Sequence, residues 1–364
     1  QHPRYSTELV AEKRSSILKA DMIVFDDVLS VEQYWKTKNK GAEPSFFGFG
    51  QDDIKSHLIN ISETEINFGL SSELLKQMRE VLENKLKVIL YYPKGGWSSS
   101  VICSGCGIVV KCVKCGSIPV VSNFNLYCPS CGKAEAYPER CPVCKRHMLK
   151  KRGFGREHIA SFLRSKFDKY TVSAIHVQAD SREKADTLRR FESGNTDILL
   201  TDSSFSMLSN WDRTGIFAVL DADYHLYGND WSAEENTFRW IRTLKYFIQS
   251  KNSDITLIVQ TRTSSGITAQ ALGRGDEFYE EQLKIRRKYG FPPFSRLIKV
   301  RTKGEKSKES AQIINRNMCS AGMEASLPTK TAINLYEIIV KAKNGDIEIL
   351  NGLKSARVSI EEET

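Results

Sequence analysis

No stretch of this sequence approaches the roughly 18 consecutive apolar residues that a membrane-crossing helix needs. The most apolar runs, Val88–Tyr92 and Ile216–Leu220, are strand-sized. The opening Gln1-His2-Pro3-Arg4 is polar and lacks the apolar core of a secretory signal. There is no low-complexity linker, and no internal repeat apart from four short cysteine pairs. Cysteine is nearly absent outside one segment: of nine, only Cys319 lies beyond residues 103–144. A disulfide scaffold spreads its cysteines to staple distant loops, so this clustering argues for metal and for a reducing, cytoplasmic compartment. Cys319, isolated, reads as a buried small hydrophobe. A start at Gln rather than Met reads as a fragment or processed product of a longer chain.

What is present is ordinary for a globular protein. The 40% hydrophobic and 27% charged residues exclude a disordered chain or a fibre. The 364 residues leave room for two or three domains. The formal charge of +9 fits a polyanion partner without establishing one. Helical spacing is expected over Ser6–Lys19 and over Ser71–Leu86, where Leu74, Leu75, Met78, Val81, Leu82 and Leu86 form a stripe and Ser71 or Ser72 can cap. Met22–Phe25 reads as a short buried strand, and Val88–Tyr92 as a strand ended by Pro93 and Gly95-Gly96. A helix followed by a wholly apolar strand is the mark of a parallel α/β sheet. The alternation returns after the cysteines: helices at Glu157–Phe167, Arg182–Phe191 and Ala233–Ile248, with strands at Thr171–His176, Ile198–Leu200, Ile216–Leu220 and Ile255–Thr261. The cysteine segment therefore reads as an insertion into one α/β domain. Beyond it come a charged helix (Glu277–Lys288), the turn Phe291-Pro292-Pro293-Phe294 and alternating strands at Ile298–Arg301 and Glu337–Lys341.

The cysteine pairs are Cys103/Cys106, Cys112/Cys115, Cys128/Cys131 and Cys141/Cys144. A Cys-x-x-Cys turn aims two sulfurs at one point about 2.3 Å from a metal, and two such turns complete a tetrahedron. Eight ligands make two closed four-cysteine sites, expected to hold two structural Zn2+ because no position is left for water. Glycines 105, 107, 116 and 132 and prolines 129 and 142 suit tight turns. Spacing leaves the pairing open. Joining Cys112/Cys115 to Cys128/Cys131 spans one hairpin and leaves Cys103/Cys106 with Cys141/Cys144 as an outer site. This nested arrangement is preferred to joining consecutive pairs. Within 103–144, Lys111, Lys114, Lys133 and Arg140 face Glu135 and Glu139, so eight thiolates and two Zn2+ bring the segment to +2 − 8 + 4 = −2. Phosphate contacts are therefore expected from the adjoining run: Lys145, Arg146, Lys150, Lys151, Arg152 and Arg156, which contains no acid. A solvated basic face is the alternative.

An α/β domain interrupted by four Cys-x-x-Cys pairs, resumed at Gly153-Phe154-Gly155-Arg156-Glu157 and closed by Phe291-Pro292-Pro293-Phe294, resembles the bacterial replication-restart helicases of the PriA (primosomal protein N′) family. Pro3-Arg4-Tyr5 with Val10-Ala11 and Arg14 resembles the end of that family's first motor lobe. Phe217–Asp223 resembles its strand ending in Asp-Ala-Asp. Phe278-Tyr279 with Arg286-Arg287 resembles its C-terminal signature. The resemblance implies nested binding of two zinc ions, a RecA-like second lobe carrying the zinc insertion, and a small α+β C-terminal domain. The implied boundaries are 1–102 for the end of the first lobe and entry to the second, 103–144 for the zinc insertion, 145–265 for the RecA-like lobe and 266–364 for the last domain.

The departures concern polar chemistry. A Gly-x4-Gly-Lys-Ser/Thr phosphate loop does not occur in these residues. The family's Gln-Val-Ala-Gly-Arg-Ala-Gly-Arg run reads Thr243–Ser250 here, with Phe247 and Ser250 at the arginine positions and without a gap. Its Gly-Thr-Gln motif reads Thr201-Asp202-Ser203, and its Gly-Ser-Ala-Thr-Pro reads Phe25-Asp26-Asp27-Val28-Leu29. An arginine finger contributes about 10³–10⁵ in rate. No catalytic residue is therefore assigned, and Arg239, Arg242 and Lys245 stand on other helix faces. Three functions follow from the resemblance. The first is a zinc-containing protein of replication restart and primosome assembly that binds branched or single-stranded DNA, and replication-restart proteins, without its own ATPase. The second is an ATP-dependent 3′→5′ DNA helicase, using ATP and Mg2+, whose N-terminal half lies outside this sequence. The third is a zinc scaffold for protein partners only. None involves a membrane. Asp221 and Asp223 read as a strand end more than as a paired-carboxylate metal site, and most of Trp97, Trp211, Trp231 and Trp240 as core more than as base-stacking groups.

Overall fold

The structure, a computed structural model, describes residues 7–40, 54–122, 124–226, 231–263, 266–273, 275–332, 335–342 and 358–363. Pro3, Arg4 and Tyr5 lie outside them. The chain divides into two compact units, residues 46–275 and residues 1–45 with 276–364. Helices α1 (Thr7–Leu18) and α2 (Val31–Lys40) belong to the second of these.

Unit 46–275 is a three-layer α/β arrangement. Its six-stranded parallel sheet uses β1 (Ser56–Asn60), β4 (Lys87–Tyr91), β10 (Val172–Ala174), β11 (Ile198–Thr201), β12 (Thr214–Val219) and β13 (Thr256–Thr261), in the order β1-β13-β12-β4-β11-β10. Strands from before and after the cysteine segment thus share one sheet. Alternate residues face opposite sides, and both sides are covered, which is why these strands read as unbroken apolar runs. On one face Val88, Leu90, Ile198, Leu200, Ile216 and Ala218 meet α3 (Ser72–Glu83) and α4 (Arg156–Lys166). Ser71 caps α3, its hydroxyl accepting from the Leu74 amide. The short pair β2 (Ile66–Asn67) and β3 (Leu70–Ser71) leads into it. On the other face an aromatic cluster joins Tyr91, Phe205, Trp211 and Phe217 to Trp240 and Phe247 of α6 (Ala233–Lys251). Helix α5 (Ser181–Glu192) begins in a capping box between Asp180 and Glu183, and α7 (Ile267–Leu272) follows β13.

The insertion leaves and re-enters the α/β unit through a neck. Strand β5 (Ser100–Cys103) pairs antiparallel with β9 (Leu149–Arg152). Between them, β6 (Val120–Ser122), β7 (Asn125–Tyr127) and β8 (Ala134–Ala136) form a three-stranded meander. At the root of the neck two glycine turns touch. A Cβ on Gly155 would lie 2.1 Å from the Gly96 carbonyl oxygen, so only glycine fits there.

In the other unit, α1 and α2 accompany α8 (Asp276–Tyr289), α9 (Ser307–Ser320) and an antiparallel sheet ordered β15-β17-β14-β18. Its strands are β14 (Arg296–Lys303), β15 (Glu324–Ala325), β17 (Leu335–Ala342) and β18 (Val358–Glu363), with β16 (Thr329–Ala332) also on β17. Tyr34 stacks on Tyr279 at 4.5 Å, and the Tyr279 hydroxyl donates to the Leu29 carbonyl. Ala311, Ile314 and Met318 of α9 cover Val300, Ile338 and Val340.

Two expectations fail here. Met22–Phe25 is not a strand: Ile23, Val24 and Phe25 are exposed, and among the described residues no strand pairs with them. An apolar run becomes a buried strand only where neighbours offer hydrogen bonds and cover. Cys319 is exposed rather than buried. It follows Met318 by one residue, which turns it about 100° off the buried stripe of α9.

Candidate metal centre and its surroundings

Each cysteine pair forms the same turn. The amide of the first cysteine donates to the carbonyl five residues on: Cys103 to Ile108, Cys112 to Ser117, Cys128 to Lys133 and Cys141 to Arg146, all at 2.8–2.9 Å. The amide four residues on returns to the first cysteine's carbonyl, from Gly107, Gly116, Gly132 and Lys145. That residue has positive φ in all four turns: 73°, 77°, 70° and, at Lys145, 61°. Glycine meets the requirement at three turns and lysine at the fourth.

The turns bring the sulfurs together in the nested pairing. Cys103, Cys106, Cys141 and Cys144 form one group and Cys112, Cys115, Cys128 and Cys131 the other, the sulfurs of each within 4.8 Å of one another. The Sγ–Sγ separations Cys103–Cys144, Cys106–Cys141, Cys112–Cys131 and Cys115–Cys128 are 3.6, 3.7, 3.7 and 3.5 Å. A disulfide bond is about 2.05 Å. A tetrahedron of sulfurs about 2.3 Å from a central ion has edges of about 3.8 Å. The geometry is that of two sites able to hold a metal ion each. Hydrogen bonds from Ser117 draw the Cys115 thiol down to about 6. At Cys131 a backbone hydrogen bond from Lys133 lowers the thiol, yet burial and the neighbouring sulfurs outweigh it and push it up to about 11. Apart from these sulfurs the insertion has a slight core of Val101, Val110, Val121 and Leu126, with Tyr137 and Leu149 at its edge. So small a core needs a staple.

The basic run divides. Lys150, Lys151 and Arg152 are exposed along β9, and Arg146 is exposed in the last cysteine turn. Lys145 is exposed as well, but its Nζ donates to the Pro142 carbonyl within its own turn. Arg156 is set apart and is corrected as a phosphate contact. It is 2% exposed, and its guanidinium donates to the carbonyls of Ile175, Tyr92 and Pro93 and to Asp202, the last at 3.3 Å. Nothing in one sequence separates an arginine pointing out of a strand from one pointing in at a helix start.

The segments whose sequence departs from the family motifs hold ion pairs and an aromatic cluster. Asp202 caps the turn after β11 and faces Arg156 and, at 3.9 Å, Lys184. Burial pushes its carboxyl up, but Arg156 and Ser204 outweigh that and hold it below the ordinary range. The first amides of α4 are satisfied internally: Gly155 by Trp97, Arg156 by Lys94 and Glu157 by Gly96. A helix N-terminus with its donors so engaged is no phosphate cradle. Asp221 and Asp223 are buried and paired. Arg262 lies 3.1 Å from Asp221 and 3.8 Å from Asp223, Lys94 lies 3.5 Å from Asp221, and Thr261 donates to Asp223 at 2.6 Å. Phe247 packs edge-on against Phe205 and Trp211. Lys245 is buried and donates to the Leu272 carbonyl at 2.7 Å; Arg242 donates to the Gly273 carbonyl and the Tyr246 hydroxyl. Of the tryptophans, Trp211 and Trp240 join the aromatic cluster, while Trp97 is half-exposed and stacks on His158 at 4.3 Å.

A mixed α/β unit on a parallel sheet, interrupted by a module with two four-cysteine clusters, is the class defined by fold and site. Similarity to known proteins is specific. The chain is 22% identical over 361 residues to replication restart protein PriA of Borreliella burgdorferi, covering 94% of this chain and 54% of that protein. It is 26% identical over 307 residues to PriA of Treponema pallidum (82% and 46%) and 27% identical over 247 residues to PriA of Bacillus subtilis (66% and 31%). The chain is thus PriA-like along most of its length and spans about half the length, or less, of these relatives. No family model matches it. Among solved structures, S. cerevisiae Dbp5 L327V bound to RNA and ADP BeF3 overlaps 78% of this chain and 53% of its own at 8% identity and a TM-score of 0.34, too low to bear on function. No described helix is long and apolar enough to cross a membrane.

Proposed function

We propose that this chain is a zinc-containing, PriA-like DNA-binding protein of replication restart that does not itself hydrolyse ATP. Under this reading the six-stranded unit is a RecA-like second lobe, the part before it derives from a first lobe, and the residues after it form the small α+β domain. Both four-cysteine clusters hold structural Zn2+, and the protein works in the cytoplasm beside other replication-restart proteins. The observation that carries the reading is a contrast within one unit. The eight thiols keep tetrahedral spacing, while the position of a motor arginine is filled by Phe247 within an aromatic cluster. Metal sites fold a surface; they do not need a nucleotide. DNA contact is supported by the basic residues of β9 and the adjoining turn, Lys150, Lys151, Arg152, Arg146 and Lys145, and excludes Arg156 for the reason given above.

The test is binding of a forked oligonucleotide over a salt series, with phosphate release followed in the same samples. Salt-sensitive binding without ATP turnover is expected. Turnover stimulated by the fork, in this chain or in a longer product that contains it, would favour the helicase reading. Failure to bind a fork at low salt would favour a scaffold for proteins alone. Metal analysis should return two zinc ions per chain.

A further inference from the structure

The hairpin of β6 and β7 carries an unusual residue at its tip. Ser122 is paired with Asn125, and Phe124 lies in the turn between these strands. Tight hairpins of this kind place glycine where φ is positive. Here Phe124 has φ of 62° and is 86% exposed. A bulky residue in the left-handed region costs about 1–2 kcal/mol, and exposure of the ring recovers nothing by burial. Strain held at an exposed aromatic points to a use for the ring.

Its surroundings say which use. Lys151 Nζ lies 5.8 Å from the centroid of Phe124 and 5.6 Å from that of Tyr137. Lys151 stands on β9, between the exposed Lys150 and Arg152. Successive side chains of a strand face opposite sides, so Lys151 shares the side of Phe124 while Lys150 and Arg152 face the other. An open aromatic face beside a cation matches one ligand chemistry: an unpaired base to stack on the ring, and a backbone phosphate to meet the lysine. A base pair inside a duplex offers no open face, and an acidic protein segment would meet the cation but has no flat base to lay on the ring. Resting on the DNA-binding reading above, we infer that Phe124 and Lys151 form a stacking site for single-stranded nucleic acid, with Phe124 on a base and Lys151 on the adjoining backbone phosphate.

The test uses the whole chain, zinc-loaded, and a single-stranded oligonucleotide carrying 2-aminopurine, with blunt duplex as comparison. Phe124→Gly removes the ring and relieves the backbone, so its melting temperature should not fall. It should bind the single strand about tenfold more weakly, within the range a missing base stack gives, and no longer show the quenching of 2-aminopurine that stacking produces. Duplex affinity should stay unchanged. Phe124→Trp should keep the affinity, with its indole fluorescence quenched by the oligonucleotide. If the unaltered chain binds DNA but Phe124→Gly matches it in affinity and quenching, the stacking site is wrong and the broader reading stands. If the unaltered chain binds no DNA at all, both fall.

Discussion

Lys145 and Arg156 stand eleven positions apart in one basic run, yet the fold gives them different work. Lys145 occupies the left-handed position that glycine fills in the three other cysteine turns. Lys145→Gly is therefore expected to stabilise the insertion by about 1 kcal/mol or less, the relief of left-handed strain being partly offset by glycine's extra freedom when unfolded. Chemical denaturation of the zinc-loaded chain measures this, and a clear loss of stability would contradict the turn geometry. Arg156 is buried against three carbonyls and Asp202. Arg156→Met removes the buried donor from those carbonyls and the nearest cation from Asp202, which keeps only Ser204 and Lys184, and should destabilise by about 2–3 kcal/mol. It should leave the salt dependence of DNA binding untouched. A variant that folds as well as the parent but binds DNA less steeply with salt would return Arg156 to the phosphate contacts.

At the scale of elements, the insertion and the sheet beneath it are held by different forces. The sheet and its helices enclose a continuous apolar core, whereas the described residues of the insertion hold one small apolar cluster and two sulfur clusters. Chelation should unfold residues 100–152 and spare the six-stranded sheet, seen as hydrogen exchange that rises in the first and not in the second. Equal loss in both would mean the metal supports the whole unit. A second prediction concerns the start of α4. Glu157 accepts from the Val177 amide at 2.9 Å and lies 3.7 Å from His176 Nδ1. The Glu157 carboxylate raises the His176 pKa above 6.5. Burial pushes the Glu157 carboxyl up, but His176 and the Val177 amide hold it below 4.5. The sign follows from each shift. The histidine's contribution is complete below its unfolded value and fades as pH rises through its folded one. The glutamate's contribution is complete above its unfolded value and fades as pH falls through its folded one. The melting-temperature difference between the parent and His176→Gln should thus be greatest between about pH 4.5 and 6.5 and shrink above that window. A difference constant from pH 5 to pH 9 would show that the pair does not titrate as described.

For the whole molecule the decisive quantity is charge once metal is bound. With two Zn2+ held by eight thiolates the formal charge would be +9 − 8 + 4 = +5, so under the proposed function the long-range pull on a polyanion is slight and binding would rest on local contacts. Replacing Lys150 and Arg152 together by alanine should lower the slope of log affinity against log salt by about 2, one for each phosphate left without its cation. An unchanged slope would place the DNA elsewhere on the chain. The parallel sheet was legible beforehand in the apolar runs at Val88–Tyr92, Ile198–Leu200 and Ile216–Leu220, because strands covered on both faces leave no polar alternation. The cysteine groupings were legible as a preference only, since spacing admits two pairings. Phe124 was not singled out at all. The only signal was a two-residue gap between short strand-like runs, with an aromatic where turns prefer glycine.

By itself the sequence determined that this chain folds as α/β, that its cysteines come in four metal-ready turns, and that it departs from the motifs of the family it resembles at named positions. Those are local matters, set by periodicity, by spacing and by which atoms a side chain has. The tertiary structure decided which turns share a cluster, that Arg156 points inward while Lys150 and Arg152 point out, that Asp221 and Asp223 are neutralised by Lys94 and Arg262, and that the Met22–Phe25 run is left uncovered. Each of those depends on contacts between residues far apart along the chain, and a contact has no address until both partners have been placed.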